Sequence, residues 1–342
     1  NGARIPASAI TCFNLEGTDQ RGTRFTTRLH VPLATVQALW FGVDIPADAG
    51  LATYHGVVSI AATGLPAQTV EIVLTVSAQT LADRGDGDHW RLSRLRWLNS
   101  TRAHDTETYD VFPPLAVKGR TLDLLGRRIV LGDNGQPSSL ASFLDMFEIK
   151  STSREILAAP ITLTATVGGK AIPLPLERCR RQFGAPGQVV FKSSGDMSGA
   201  TVQLVTTIEV DGAIEMRLVM QAQAALTLED LRLSIRIQDA IARLFTTSND
   251  IPERSQAQGG TCPDTYRCPI GDFQQYWVGD YNAGLGLRLP GENNYWTRGQ
   301  DGFFSLSRKA GARELVLSLG KMEIKAGETA HCIHELYVTP FK

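Results

Sequence analysis

The stretch TVQLVTTIEVDGAIEMRLVM, residues 201–220, alternates apolar and polar residues with a period of two on both sides of a turn dipeptide. Val202, Leu204, Thr206, Ile208 and Val210 point one way as far as Asp211-Gly212, and Ile214, Met216, Leu218 and Met220 resume the pattern beyond it. A helix would scatter such residues around its axis, whereas a strand gathers them on one face. The segment therefore predicts a long antiparallel hairpin with one buried face.

The same period recurs along the chain. RFTTRLHV sets Phe25, Thr27, Leu29 and Val31 against Thr26, Arg28 and His30; ALWFGVDI and TVEIVLTV repeat it, the latter with Val70, Ile72, Leu74 and Val76 inward. Turn-rich PADAGLATYHG and TGLPAQ separate these runs, which predicts a small antiparallel sandwich ending near residue 82. From Val117 a second series begins. Asn134-Gly135 and Gly168-Gly169 mark further hairpins, and LRLSIRIQ, FFSLSRKAGARELVLSLG and HCIHELYVT add long strands. So many strands in about 225 residues imply two large packed sheets. No segment of 10–12 residues carries a helical period, and QDAIARLF offers two turns at most.

Composition removes several functions. Thirty-four Lys and Arg balance 35 Asp and Glu, without a long block of like charge, so neither nucleic acid nor an anionic membrane is an expected partner. No apolar run approaches a membrane span. The start, NGARIPASAI, has neither an initiator Met nor a leader pattern, which suggests a processed or excised chain. Of the five cysteines, Cys12, Cys179, Cys262, Cys268 and Cys332, only Cys262 and Cys268 lie close in sequence, in the Pro-flanked TCPDTYRCP. With no second pair and no His in that loop, zinc is disfavoured; a local disulfide is the expectation, and with it an oxidising, extracytoplasmic compartment.

DRGDGDHWRLSRLRWLNST, residues 83–101, looks at first like a metal loop. Counting an EF-hand from Asp83 or from Asp86 puts Gly, Trp or Arg where oxygen ligands are needed, so Asp83, Asp86 and Asp88 read as a solvated turn and no metal is expected. Arg84-Gly85-Asp86 is too short a motif to carry a function, and Asn99-Ser100-Thr101 is a glycosylation acceptor. No nucleophile–base pair, GxSxG, HExxH or phosphate loop occurs; His331 and His334 flank Cys332 on one strand and point to opposite faces. No catalytic residue and no cofactor is expected. The segment 272–296, DFQQYWVGDYNAGLGLRLPGENNYW, holds the ingredients of a sugar site: Trp277 and Trp296, with Tyr276, Tyr281 and Tyr295, among Asp280, Asn293 and Asn294. Aromatic residues at the rim of a sandwich also cap its core, and that reading competes.

WFGVDIPADAGLATYHGVV, with Trp40, Pro46, Gly50, Tyr54 and Gly56, then RLSRLRWLNST, VKGRTLDLLGRRIVLGDNGQPSSL, WVGDYNAGL, NNYW and the terminal TPFK resemble, in that order, the N-terminal β-domains of family 123 glycoside hydrolases and their relatives. The resemblance implies an all-β chain: an immunoglobulin-like β-sandwich over residues 1–90, a connecting segment over 91–116 and an antiparallel β-supersandwich over 117–342. It implies that Arg94, Arg96 and Trp97 lie at a domain junction, and that a catalytic barrel of the same precursor follows Lys342. The expected function is that of a non-catalytic, secreted β-portion of a glycoside-hydrolase-like protein with carbohydrate as partner. Two alternatives stand beside it: a structural β-protein that self-assembles into a filament or sheath through its exposed sheet edges, and a free-standing carbohydrate-binding module.

Overall fold

A computed structural model describes residues 4–13, 16–18, 24–26, 36, 38–80, 106–108, 112–144, 149–197, 199–249, 258–270, 274–290, 296 and 301–340. The chain divides into two units, Asn1–Asp105 and Thr106–Lys342. It is all-β; among the described residues the helical content is confined to a 3₁₀ turn at Ala7–Ala9 and 3₁₀ backbone at Trp296.

The described part of the first unit consists of three antiparallel pairs: Ile10–Cys12 with Phe41–Val43, Glu16–Thr18 with Arg24–Thr26, and Thr53–Ile60 with Gln68–Thr75. In the last pair Ile72 and Leu74 are partly covered, opposite Gly56 and Tyr54, while Val70 is 51% exposed.

The second unit is built on a nine-stranded antiparallel sheet. Its strands, in chain order, are β1 (Glu177–Gly184), β2 (Gln188–Met197), β3 (Ala200–Glu209), β4 (Ala213–Ala222), β5 (Leu244–Asn249), β6 (Gln258–Thr261), β7 (Gln274–Gly279), β8 (Gly284–Leu289) and β9 (Thr329–Thr339). Their spatial order is 1-2-3-4-9-8-7-5-6. The 201–220 hairpin is β3–β4, turning at Asp211-Gly212 with Gly212 at φ +93°. The remaining strands form a six-stranded sheet, with Leu157–Val167 and Asp230–Gln238 near its middle, a five-stranded sheet from Ala116–Lys118 to Ile149–Glu155, and a short two-stranded ladder.

Strict alternation gives the nine-stranded sheet one dry face. Val202, Leu204, Thr206, Ile208, Ile214, Met216, Leu218 and Met220 are all fully buried, as are Cys332, His334, Leu336 and Val338 of β9. They share one core with Ile161, Leu163, Ala165, Leu231, Leu233 and Ile235 of the six-stranded sheet and with Leu122, Ile129 and Leu140 of the five-stranded one.

Among the polar side chains buried in this unit are Arg127 and His334. Arg127, 2% exposed, donates to four backbone carbonyls: Nε to Val338 at 2.8 Å, Nη2 to Pro340 at 2.6 Å, and Nη1 to Leu125 at 3.2 Å and Asp211 at 3.3 Å. Burial lowers its pKa, Asp211 opposes that shift, and the guanidinium stays charged. His334 is fully buried, lies edge-on to Trp296 at 6.1 Å and 79°, and among the described residues has no hydrogen-bond partner on either ring nitrogen. Desolvation drives its pKa down to about 3.

Both features generate measurable expectations. Arg127→Leu leaves buried carbonyls without a donor and should cost about 3–5 kcal/mol in denaturant unfolding. An unchanged midpoint would refute the role given to it. For His334, the unfolded ring takes up a proton near its ordinary pKa of 6.5, whereas the native ring refuses one until about pH 3. Stability should therefore fall as pH drops through that window, by up to about 1.4 kcal/mol per unit, with no contribution above it. Unfolding curves of the parent and His334→Leu between those pH values check this: the variant should lose that part of the slope.

Candidate functional site

On the face opposite the core, register places polar side chains from distant parts of the chain in rows, since directly paired residues share a face. One row runs Val190, Thr207, Glu215, Glu335, Arg288 and Gln275, across β2, β3, β4, β9, β8 and β7. Two residues along lies Arg180, Lys192, Val205, Arg217 and Ile333. On the other side, Tyr337 of β9 pairs with Gly286 of β8, which pairs with Trp277 of β7.

The centre of this outer face is a bonded cluster. Glu335, 8% exposed, forms an ion pair with Arg288, whose Nε lies 2.7 Å from Oε2 and whose Nη2 donates to Oε1 at 3.2 Å, and it accepts the Tyr337 hydroxyl at 2.6 Å. Burial pushes the Tyr337 hydroxyl above its ordinary pKa, and the neighbouring carboxylate adds to the shift. Beside it, Arg217 donates to Glu215 at 3.1 Å. Towards the end of β3, burial raises the Glu209 carboxyl, and Asp211, Glu215 and Glu335 raise it further by repulsion.

Trp277 lies on this face and is partly exposed. Its indole crosses the neighbouring strand where glycines leave room. A Cβ on Gly284 would come within 2.8 Å of Cζ2, one on Gly279 within 2.6 Å, and one on Gly286 would touch Cδ1 at 3.9 Å. Nε1 reaches Thr339 Oγ1 on β9 at 2.8 Å. Backbone thus floors one side of the ring, and a hydrogen bond two strands away fixes its direction.

The other residues expected at a sugar site have different surroundings. Trp296 is fully buried in the core against His334. Asp280 closes the β7–β8 turn: both oxygens meet Arg154, at 2.8 and 2.5 Å, and Oδ1 accepts the amides of Asn282 and Ala283 at 2.9 Å. Burial acts to raise its pKa, but Arg154 and those amides outweigh it and hold the carboxyl below its ordinary value. Tyr276 is buried and stacks on Phe304 at 3.5 Å, while Tyr281 stands 70% exposed at the turn. Asn293, Asn294 and Tyr295 lie outside the described residues, as do Asp83, Asp86, Asp88, Arg94, Arg96, Trp97 and Asn99.

The expected Cys262–Cys268 bridge is not formed; both thiols are free. TCPDTYRCP is not a closed loop but a crossing between layers. Thr261 ends β6 in the nine-stranded sheet, and Thr265–Pro269 pairs with Phe303–Lys309 in the six-stranded one. The extended backbone carries Cys268 about 10 Å beyond Thr265, towards the Tyr276 hydroxyl at 3.3 Å. Cys262 stays buried beside Arg313, and desolvation raises its pKa.

Glu335, Tyr337, Arg288, Glu215 and Arg217 were not singled out by motif or spacing. Their signal lies in the polar half of the alternation in HCIHELYVT, EMRLVM and GLGLRL, where each lies between residues that face the core.

A model described as "Glycoside hydrolase 123, third domain" matches residues 115–340. No curated protein matches the chain. Among solved structures, a putative aldose 1-epimerase from Escherichia coli K12 aligns at 8% identity and a TM-score of 0.39, over 66% of this chain and 98% of that one. The protein HI1317 aligns at 12% identity and a TM-score of 0.35, over 68% and 98%. Overlap at that level is too low to equate the folds. The family match is different in kind: it spans well over half of the chain and falls within the second unit, and the chain belongs to the glycoside hydrolase 123 family.

Proposed function

We propose that this chain is a non-catalytic β-portion of a secreted glycoside-hydrolase-like protein, and that it holds carbohydrate on the outer face of its nine-stranded sheet. The observation that carries this reading is Trp277, whose indole rests on the Gly279–Gly284–Gly286 backbone and is tied to Thr339. An aromatic plane fixed in this way matches the apolar face of a pyranose, and Gln275, Arg288 and Glu335 nearby supply donors and acceptors for hydroxyls. Membership of a glycoside hydrolase family supports the ligand class. A catalytic barrel elsewhere in the same precursor belongs to the proposal, with this face extending the cleft or presenting substrate to it. The secreted location no longer has a disulfide behind it and rests on where polymeric glycans are met.

Glycan-array binding and denaturant melts of the parent, Trp277→Ala and Trp296→Ala test the reading. Trp296→Ala should cost about 3–5 kcal/mol, the price of emptying a buried aromatic site. Trp277→Ala should cost about 1–2 kcal/mol and weaken glycan binding at least tenfold. A blank array with folded parent, or full binding by Trp277→Ala, would overturn the assignment.

A further inference from the structure

We infer that the carbohydrate held on this face is an extended anionic glycan, carrying sulfate or carboxylate groups that meet Arg180 and Lys192. The inference rests on the carbohydrate reading of Trp277 and adds the charge and the length of the ligand.

The first observation is the pairing of two cations. Arg180 of β1 lies directly opposite Lys192 of β2, and the alternation that buries Val189 and Phe191 turns Lys192 to the outer face. Like charges in direct cross-strand register repel and weaken a sheet. An anion seated between them turns that repulsion into two attractions.

The second observation is where the nearby acids are committed. Glu177, one row away, is 3.4 Å from Arg178; Asp133 is held by Arg120 and by the Arg178 backbone amide; and Asp196, which accepts the Thr201 hydroxyl at 3.0 Å and keeps its charge, lies four residues along β2 from Lys192, about 13 Å away. In the adjoining rows Glu215 is matched by Arg217 and Glu335 by Arg288. Glu209 faces outward too, but it lies four residues along β3 from Val205, the partner of Lys192, a separation of about 14 Å. The ion-paired rows are close to neutral, and among the described residues neither Arg180 nor Lys192 has a carboxylate within ion-pair distance.

Length follows from strand order. Lys192 on β2 and Trp277 on β7 are separated by five inter-strand steps, through β3, β4, β9 and β8, or about 24 Å across the sheet. A single sugar stacked on Trp277 leaves the cations unused. An oligosaccharide laid across the strands reaches both, passing over Arg288, Glu335, Arg217 and Glu215.

The test uses the full chain on an array carrying each backbone in neutral, sulfated and uronate form, followed by titration with sulfated and unsulfated poly-N-acetyllactosamine fragments. Sulfated or uronate probes should bind at least tenfold more tightly than their neutral parents, with an advantage that shrinks as salt rises. Arg180→Ala with Lys192→Ala should abolish that advantage and leave neutral binding through Trp277 as it was. Arg181→Ala is the control, since it removes the same charge from the same strand, but Arg181 pairs with Phe191 and so belongs to the opposite face. Equal binding of charged and neutral probes overturns the anionic inference and spares Trp277. An advantage that survives the double substitution, or that Arg181→Ala reduces as much, also overturns it. No binding by any probe overturns this inference and the carbohydrate reading together.

Discussion

One buried guanidinium connects the layers of the second unit. Arg127 belongs to the five-stranded sheet, and its hydrogen bonds reach Val338 at the end of β9, Pro340 just past it, the β3–β4 turn and the backbone two residues before it. Its planar fork suits such a task, because four backbone carbonyls converge there. A lysine would present a single ammonium to the same group. Gly212, at positive φ, lies over the arginine stem, and a Cβ there would approach Cδ at 3.3 Å, so the turn dipeptide and the buried cation fit one another. The register of β9 against β4 and β8, and with it every row on the outer face, is anchored at that end.

The parts of this architecture that rest on local chemistry could be read from sequence. Asn134-Gly135, Gly168-Gly169 and Asp211-Gly212 each turn a hairpin, and the alternating residues of 201–220 bury the face assigned to them. The outer-face cluster was less legible, because its members come from strands far apart in the chain and meet only through register. Glu335 has no meaning as a site residue until β9 is known to lie between β4 and β8. Trp277 and Trp296 illustrate the same limit: both are large aromatics in one polar stretch, yet one lies on a glycine floor outside the core and the other is sealed within it. The cysteine pair misled for a related reason. Six residues of spacing describe a closed loop or an extended crossing equally well, and the layer change after Thr261 makes it the second.

The two faces of the nine-stranded sheet solve opposite electrostatic problems. The dry face admits His334 only as a neutral ring, at an energetic cost that grows in acid. The outer face tolerates Glu335 at 8% exposure because a guanidinium and a phenol surround it. Pairing along a row neutralises charge within about one strand spacing, which leaves a polar but nearly balanced floor between Trp277 and the Arg180–Lys192 pair.

The strand order 1-2-3-4-9-8-7-5-6 also constrains how such a chain can be made. β1–β4 can zip as successive hairpins while they leave the ribosome, and β7 and β8 can do likewise, but β9, which joins the two groups, is synthesised after all of them. Until it arrives, β4 and β8 each present an open edge, and the apolar faces of both groups lack their central member. The last of these nine strands to be translated is thus the keystone of the sheet. During biosynthesis the chain has to keep two half-sheets apart from each other and from neighbouring molecules, so shielding by chaperones or slow decoding before Thr329 would bear directly on its yield.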